Sequence, residues 1–148
     1  MCSSDLYHRN RETTLSPVPM RIGLVGSTGT AGIQDFTTQI RQSGIGFDIS
    51  ITSVTVQGDT APAEVSAAIE TFGLRDDIDV IVVLRGGGSK TDLSTFDSEM
   101  IAMAIANSPL PVFTAIGHDI DFHIADEVAY SSHKTPTACA VEIGRAHV

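Results

Sequence analysis

The chain of 148 residues has few cysteines, few basic residues and no long apolar run. Its two cysteines are Cys2, next to the first residue, and Cys139, which excludes a disulfide framework and a cysteine-based metal site. No stretch approaches the roughly 20 apolar residues that a membrane-spanning helix requires, and no secretory signal is recognisable. We therefore expect a cytoplasmic protein that does not interact with a membrane.

The shortage of basic residues limits how the chain could contact nucleic acid. Nine Lys and Arg stand against 18 Asp and Glu, which gives a formal net charge of −9. Binding to a phosphate backbone depends mainly on lysine and arginine side chains. Any contact with nucleic acid must therefore be local, or must be supplied by parts of a longer protein that this chain does not include.

Both ends of the chain look like translations of the two strands of a sequencing-adaptor oligonucleotide. They are residues 1–6, with Cys2-Ser3-Ser4-Asp5-Leu6, and residues 143–148, Ile143-Gly144-Arg145-Ala146-His147-Val148. We expect both ends to be non-native and leave them out of the fold prediction. Residues 7–142, with a core from residue 20 onward, then suit one domain, since single domains typically hold about 100–150 residues.

Strand and helix patterns alternate along the chain. Apolar or β-branched runs predict strands over 21–26, 47–56, 79–84 and 111–116. Apolar residues at helical spacing predict helices over 29–43, from Pro62 to about residue 72, over 92–107 and over 121–130. This order predicts a three-layer α/β/α domain with a mostly parallel, Rossmann-like sheet of about four strands. The loops over 26–32, 85–89 and 117–121 should then share the carboxyl edge of the sheet, where ligands of such sheets bind.

The loop after the first strand has the spacing G-x-x-G-x-x-G, from Gly26 to Gly32. This is a variant of the dinucleotide-binding fingerprint, in which glycines let the backbone approach a pyrophosphate at a helix N-terminus. The same glycines could serve only to form a tight turn between strand and helix. Asp35 lies about one turn inside the helix that follows, where a single Asp is usually solvated surface.

The loop after the third strand has three consecutive glycines, Gly86, Gly87 and Gly88, between Arg85 and Ser89. Glycines lose more backbone entropy on folding than other residues, so a run of three indicates close approach of the backbone to a ligand or positive φ angles. The guanidinium of Arg85 could bind a phosphate through two hydrogen bonds. Ser89 could cap the next helix or donate to the same anion. The alternative is a flexible loop with an exposed arginine.

The loop after the fourth strand has His118 and Asp121 at i, i+3, which places them on one face if the turn is helical. A carboxylate beside an imidazole fixes its tautomer and raises its basicity, which suits general acid–base catalysis near neutral pH. The pair could instead help to hold a divalent cation, although two ligands are too few to indicate a metal site. A plain structural hydrogen bond is the third interpretation.

Taken together, these residues resemble the exodeoxyribonuclease VII large-subunit family. The matching segments, which run in the same order along nearly all of residues 7–142, are Pro19-Met20-Arg21-Ile22-Gly23-Leu24-Val25 with the glycine turn and Asp35, Val56-Gln57-Gly58, Arg85-Gly86-Gly87-Gly88-Ser89 with Asp92-Leu93 and Phe96, Ser108-Pro109-Leu110-Pro111-Val112, Gly117-His118-Asp119-Ile120-Asp121-Phe122, Ala125-Asp126, and Thr135-Pro136-Thr137 with Ala138 and Ala140. One departure is Val25-Gly26-Ser27-Thr28-Gly29, where the family more often has Thr-Ser-Pro-Thr-Gly.

The resemblance implies hydrolysis of single-stranded DNA from either end to short oligonucleotides. The catalytic residues that it implies are Asp35, Arg85, His118 and Asp121. Phosphate contacts would come from Ser27, Thr28, Gly29, Gly86, Gly87, Gly88 and Ser89. Arg85 and the glycine loop would hold the phosphate, and His118 with Asp121 would form an acid–base pair. No cofactor is strictly required, and Mg²⁺ is optional, with Asp35 and Asp121 as its ligands.

The resemblance also implies two regions that this chain does not contain. The family has an N-terminal oligonucleotide-binding barrel and, after the catalytic domain, a long helical region that recruits the small subunit. The expected partners are therefore single-stranded DNA and the small subunit, the latter through a region outside this chain. A basic surface for single strands in the barrel would account for the acidic balance seen here.

Two other function classes compete with the nuclease interpretation. A nucleotide-binding domain for NAD(P) or ATP would use residues 26–32 and requires an acidic residue at the end of the second strand to hold a ribose. Val54-Thr55-Val56 occupy that end, and Asp59 follows only after the turn. A non-catalytic scaffold that only binds partners would not need the four polar residues Asp35, Arg85, His118 and Asp121.

Overall fold

The computed structural model describes residues 3–54, 58–85, 96–116 and 123–145, with side chains from residue 6 onward. Within these residues the strands are β1 (Arg21–Gly26), β2 (Asp48–Ser53), β3 (Val80–Leu84), β4 (Val112–Ala115) and β5 (Ser131–His133). The helices are α1 (Ser3–Arg9), α2 (Ala31–Gln42), α3 (Ala61–Gly73), α4 (Glu99–Asn107), α5 (Ile124–Val128) and α6 (Pro136–Arg145). A short 3₁₀ helix, Asn10–Glu12, follows α1.

The strands form one parallel sheet in the order β2-β1-β3-β4-β5. Gly26 pairs with Ser53, Leu84 with Ala115, and Ala115 with His133, so the strands end at a common edge. The chain leaves β1 for the outer strand β2 and returns to β3 on the other side of β1. The strand order therefore changes direction between β1 and β3, which makes the carboxyl ends of these two strands a topological switch point. Sheets of this order bind ligands at such a point.

Helices cover both faces of the sheet, which confirms the predicted three-layer architecture. Helices α2 and α6 pack on one face over a core that includes Ile22, Leu24, Phe36 and Phe113. The opposite face packs against α3, α4 and α5, whose core side chains include Val65, Ala68, Ile69, Phe72, Ile105 and Val128, and Phe96, which precedes α4, joins the same core. All five residues of β3 are buried, as a continuous apolar run in a central parallel strand predicts. Because β3 is the middle strand and helices cover both of its faces, no polar residue interrupts its sequence.

Several predicted elements are confirmed at close to residue level. The first strand has the predicted bounds, and Pro62 lies in the first turn of α3, where its missing N–H costs nothing. The second strand is shorter than predicted, and Ile51, which continues its apolar alternation, is 47% exposed. The reason is its place: β2 lies at the edge of the sheet.

Two predictions about element number and length are wrong. The sheet has five strands instead of about four, because the polar three-residue edge strand β5 has no apolar pattern to reveal it. Helix α4 begins at Glu99, whereas the sequence predicted a start near residue 92. Ser98 is extended (φ −68°, ψ 131°), and its hydroxyl accepts the Met100 N–H at 3.2 Å, which fixes the helix start there. Residues 92–95 and 121–122 of the predicted helices lie outside the described residues.

The two chain ends take part in regular structure. Helix α6, which sequence patterns did not predict, continues to Arg145, and Ile143 is buried in the core beneath it. Helix α1 contacts α4 and α5, with Tyr7 against the core. The non-native origin of residues 1–6 and 143–148 stays a prediction. No helix in the described part of the chain has the length and apolar character needed to cross a membrane.

A buried asparagine connects the N-terminal segment to the domain. Asn10 is fully buried, and its amide donates to the carbonyls of Ile105 and Leu110, each at 3.0 Å. Its side-chain oxygen accepts the Val112 N–H at 2.8 Å. One side chain thus contacts backbone groups at the end of α4 and at the start of β4. The Ile105 and Leu110 carbonyls also accept from Ser108, whereas the Val112 N–H depends on Asn10 for its described partner.

A carboxylate joins two strands at the amino edge of the sheet. Asp79 accepts the backbone N–H groups of Met20 and Arg21 at 3.1 and 3.0 Å, and its other oxygen lies 2.9 Å from the Arg21 guanidinium. The hydrogen bond from the Arg21 side chain lowers the pKa of Asp79. The same residue therefore fixes the start of β1 against the start of β3.

We predict that Asn10→Ala lowers the free energy of unfolding by about 2–4 kcal/mol, because it removes three hydrogen bonds of a buried side chain and leaves the Val112 N–H without its described partner. The measurement is urea unfolding followed by circular dichroism. Asn107→Ala is the matched control, since Asn107 is exposed and accepts only from the surface residue Arg9 among the bonds described. A loss for Asn10→Ala no larger than that of the control would contradict the role given to Asn10.

We also predict a pH dependence for Asp79→Asn. Because the pKa of Asp79 is lowered in the fold, its contribution is present above the ordinary Asp value of about 4 and is lost as the pH falls through the lowered pKa. The variant should be less stable than the wild type at pH 7, and the difference should shrink toward pH 2. Asp77→Asn, which breaks an exposed pair with Arg75, is the control. A pH-independent difference would refute this assignment.

Candidate active site

The carboxyl edge of the sheet is where the segments that the sequence singled out begin. Ser27, Arg85, Ile116 and Lys134 are the first residues beyond β1, β3, β4 and β5. Because β1 and β3 are neighbours, Ser27 and Arg85 leave the sheet side by side, where the direction of strand addition reverses. The structure therefore places the first glycine loop and the arginine of the second loop at one position, as predicted.

The loop after β1 is held by its own hydrogen bonds. The Ser27 carbonyl accepts the Thr30 hydroxyl at 2.7 Å, and the Ser27 hydroxyl donates to the Val54 carbonyl at 2.7 Å. The Thr28 N–H donates to the Ser53 hydroxyl at 3.2 Å. Gly29, with φ +82°, occupies the left-handed region that the turn requires. Ser27 and Thr28 thus attach this loop to the end of β2, and their donors are engaged within the protein.

The start of α2 has no side-chain cap. Thr30 precedes the helix in an extended conformation, but its hydroxyl turns back to Ser27, so no side chain caps the first helical N–H groups. The first turn of α2 carries no acidic residue. Uncapped N–H groups and the positive end of the helix dipole favour a phosphate at this position.

Gly26 has a packing reason that explains its departure from the common family pattern. A Cβ atom at Gly26 would lie 3.2 Å from the Ile33 side chain and 3.6 Å from the Leu84 carbonyl oxygen. The absence of a side chain lets α2 approach the ends of β1 and β3 closely. Gly26 therefore allows Ile33, in the first turn of α2, to pack against the end of β1.

Arg85 is fixed at the end of β3. Its backbone N–H donates to the Ala115 carbonyl of β4 at 3.3 Å, and the residue is partly buried, with the guanidinium Nε enclosed. A guanidinium at a partly buried position interacts more strongly with an anion than one in bulk water. The backbone of Arg85 is thus held beside the carboxyl end of β4.

Asp35 lies on the exposed face of α2, opposite the buried side chains of Ile33 and Phe36. It is one helical turn beyond Ala31, the first residue of the helix. This position confirms the expected exposure of a single helical Asp and leaves its carboxylate open to solvent. The first turn of α2 therefore connects Asp35 to the loop after β1 at the carboxyl edge of the sheet.

Six predicted site residues lie outside the described residues: Gly86, Gly87, Gly88, Ser89, His118 and Asp121. Their roles stay predictions. Within the described ranges, no group of three or more His, Cys, Asp or Glu could hold a metal ion. Asp35 is the one member of the predicted Mg²⁺ pair whose position the structure gives.

The outer part of the edge carries an imidazole and an ammonium group. His133 ends β5, lies 3.0 Å from the Ser131 hydroxyl and stacks on Phe113 with ring centroids 5.7 Å apart. Burial lowers the pKa of His133, so its ring is neutral at pH 7. Among the described residues that directly follow the strands at this edge, Arg85 and Lys134 carry a positive charge.

The structure also shows a polar cluster that the sequence did not predict. His123 and Asp126 are buried, and Asp126 accepts the hydroxyl of the fully buried Thr114 at 2.7 Å. Asp97 lies 3.2 Å from the His123 ring. The spacing of His123 and Asp126, three residues apart at the start of a short helix, could have indicated a contact between them. The contact of His123 with Asp97 spans 26 residues, so no local sequence pattern could have predicted it.

Comparison with known proteins decides the family. A family model described as "Exonuclease VII, large subunit" matches residues 6–147. The chain belongs to the exonuclease VII large-subunit family. Membership confirms the resemblance inferred from the motifs. The match includes residue 6 and residues 143–147 of the two ends that were expected to be non-native.

Individual members of the family are similar over most of this chain. The chain is 42% identical to the exodeoxyribonuclease 7 large subunit of Geobacter sulfurreducens over 135 residues, 91% of this chain and 30% of that protein. The corresponding protein of Moorella thermoacetica is 39% identical over 91% of this chain and 34% of its own length. That of Brevibacillus brevis is 41% identical over 95% and 30%. The chain thus spans about a third of the length of these curated relatives.

The end of β2 does not support the competing dinucleotide interpretation. The dinucleotide fingerprint requires an acidic side chain there for the ribose. Ser53 ends β2 and the buried Val54 follows it. The hydroxyl of Ser53 is used to hold Thr28. The exonuclease VII family and the described end of β2 therefore favour a phosphate site without a nucleoside pocket.

We predict that Gly29→Ala lowers the free energy of unfolding by about 1 kcal/mol, because an L-residue is strained at φ +82° although space for the methyl group is open. Gly46→Ala is the matched control, since Gly46 is also open but does not have a positive φ. Chemical unfolding of both variants measures the difference. Equal effects at the two positions would show that the positive φ angle of Gly29 does not constrain the residue type in the loop after β1.

Proposed function

We propose that this chain is the catalytic domain of an exodeoxyribonuclease VII large subunit, which hydrolyses phosphodiester bonds of single-stranded DNA to oligonucleotides. Family membership supports a nuclease. The observation that carries the proposal is that the loop leading to the uncapped start of α2 and the residue Arg85 follow the neighbouring strands β1 and β3, where the strand order changes direction. A helix N-terminus and a guanidinium are complementary to one phosphate group.

Phosphate binding is the first step of the proposed mechanism. Arg85 and the backbone N–H groups of residues 86–89 hold the scissile phosphate, while the start of α2 holds the same or a neighbouring phosphate. Donors fixed before the reaction stabilise the charge that develops on the phosphate oxygens in the transition state. The close packing at Gly26 supports this arrangement because it brings α2 toward the end of β3.

Proton transfer is the second step. In the proposal His118, oriented by the carboxylate of Asp121, moves a proton to or from the attacking water or the leaving oxygen. Both residues follow β4, whose carboxyl end lies next to that of β3. The segment that carries them therefore begins beside Arg85, which supports a shared site.

Asp35 takes the third role, which is to position the attacking water. Its exposed carboxylate one turn inside α2 supports this role, because no residue of the core occupies that face. Where Mg²⁺ takes part, Asp35 and Asp121 are its protein ligands. Two carboxylates and several waters suit this ion.

The DNA strand and the partner subunit are proposed to bind mainly outside this chain. The relatives are named large subunits and are about three times as long as the matched region. The net charge of −9 supports the proposal, since a surface of that sign does not attract a nucleic acid backbone except where Arg85 and Lys134 lie. The proposed location is the cytoplasm.

The test is cleavage of single-stranded DNA by a full-length large subunit that carries this domain, assembled with its small subunit. Arg85→Ala and His118→Ala should each lower kcat at least about 100-fold, because each removes a group that acts in the transition state. Arg85→Lys should remain strongly impaired, because an ammonium group cannot form the two parallel hydrogen bonds.

Arg75→Ala is the matched control and should leave cleavage unchanged, since Arg75 lies at the opposite edge of the domain in an exposed pair with Asp77. Near-normal cleavage by both the Arg85 and the His118 variants would refute the proposed site.

A further inference from the structure

Two segments that carry proposed site residues return to the described structure at residues that contact each other. The chain leaves β3 at Arg85 and returns at Phe96 and Asp97; it leaves β4 at Ile116 and returns at His123. The Asp97 carboxylate lies 3.2 Å from Nδ1 of His123, and the same oxygen accepts the Ile124 N–H at 3.3 Å. One carboxylate oxygen thus joins the ends of both segments.

The Asp97 end of this contact is fixed on both sides along the chain. Phe96, directly before it, is fully buried in the core beneath α4. Ser98, directly after it, caps α4 through the Met100 N–H. The side chain of Asp97 itself is 51% exposed, whereas that of His123 is 8% exposed, so the contact joins a surface carboxylate to a buried ring.

The His123 end is connected to the sheet. The His123 N–H donates to Asp126 at 3.3 Å, and the other oxygen of Asp126 accepts the hydroxyl of Thr114, in the middle of β4, at 2.7 Å. Asp126 and Thr114 are both buried. A helix of five residues such as α5 contributes little stability of its own, so these hydrogen bonds determine where it begins.

The chemistry of the pair assigns the histidine tautomer. A carboxylate can only accept, so Nδ1 of His123 donates to Asp97 and, in the neutral ring, Nε2 carries no proton. Nε2 is buried and has no hydrogen-bond partner among the residues that the structure describes. A proton on Nε2 would be a buried donor without a partner, which costs more than a bare nitrogen. Asp97 therefore fixes both the tautomer and the orientation of the ring.

We infer that Asp97 is a positioning residue for the reaction. Through its contact with His123, it fixes the end of the segment after β3 relative to the end of the segment after β4. The inference rests on the proposed function, because the two segments carry the proposed phosphate-binding and proton-transfer groups. It adds that their relative position is set by the Asp97–His123–Asp126–Thr114 chain of contacts, whose members do not touch the substrate. Small displacements between such groups lower the rate of reaction strongly.

The test uses the full-length large subunit assembled with its small subunit, with single-stranded DNA as substrate. Asp97→Ala and His123→Ala should each lower kcat about 10- to 100-fold while KM changes less than about twofold, because positioning affects the reacting geometry more than binding. The double variant should be no slower than the slower single variant, since both remove one contact.

Conservative variants separate positioning from stability. Asp97→Asn keeps an acceptor for the His123 ring and the Ile124 N–H, and His123→Asn keeps a donor near the position of Nδ1, so both should retain kcat within about threefold. Asp76→Ala, at an exposed residue of the turn between α3 and β3, is the matched control. Urea unfolding of each variant checks that it is folded in the assay. Asp97→Ala tests the inference by itself, because its exposed side chain can be removed without opening the core.

Arg85→Ala, assayed in parallel, distinguishes the two proposals. If it abolishes cleavage while Asp97→Ala has normal kcat, the positioning role is refuted and the proposed function stands. The positioning role is likewise refuted if the Asn variants lose as much activity as the Ala variants, or if the effects of the single variants multiply. If Arg85→Ala cleaves normally, the proposed function itself is overturned.

Discussion

The requirement to bury both faces of a parallel sheet governs the rest of this structure. Strands β1, β3 and β4 lie between two helical layers, so their side chains must be apolar on both sides, and polar groups are confined to the sheet edges. Because all strands point the same way, the loops that follow them emerge at one edge. Arg85 and the glycine loop meet there although about 60 residues separate them, and this meeting follows from strand order.

The two edges of the sheet use polar residues differently. At the amino edge, Asp79 joins the starts of β1 and β3 through an ion pair and two backbone hydrogen bonds, a purely structural arrangement. At the carboxyl edge, the first turn of α2 has no side-chain cap. A helix end without a cap is less stable than a capped one, so its retention beside Arg85 fits a site that accepts an anion. The structural ion pair and the proposed phosphate site thus lie at opposite ends of the same strands.

Buried polar side chains connect segments that the sheet alone does not fix. Asn10 satisfies backbone groups at the end of α4 and at the start of β4, and Asp126 links β4 to the start of α5. Each polar atom in these contacts has a partner, which is the condition under which a buried polar group stabilises one conformation. The Asp97–His123 contact extends this network outward to the two segments that carry the proposed catalytic groups.

The sequence by itself determined the parallel α/β architecture, the bounds of β1, the buried face of α3 and the family, because apolar periodicity and motifs are local. Only the tertiary structure revealed β5, the later start of α4 at Glu99, and the contacts of Asn10 and Asp97. These features depend on residues distant in sequence: Asn10 contacts Val112, and Asp97 contacts His123. A three-residue polar edge strand such as β5 is defined by its pairing with β4, and no periodic pattern within three residues can encode that partner.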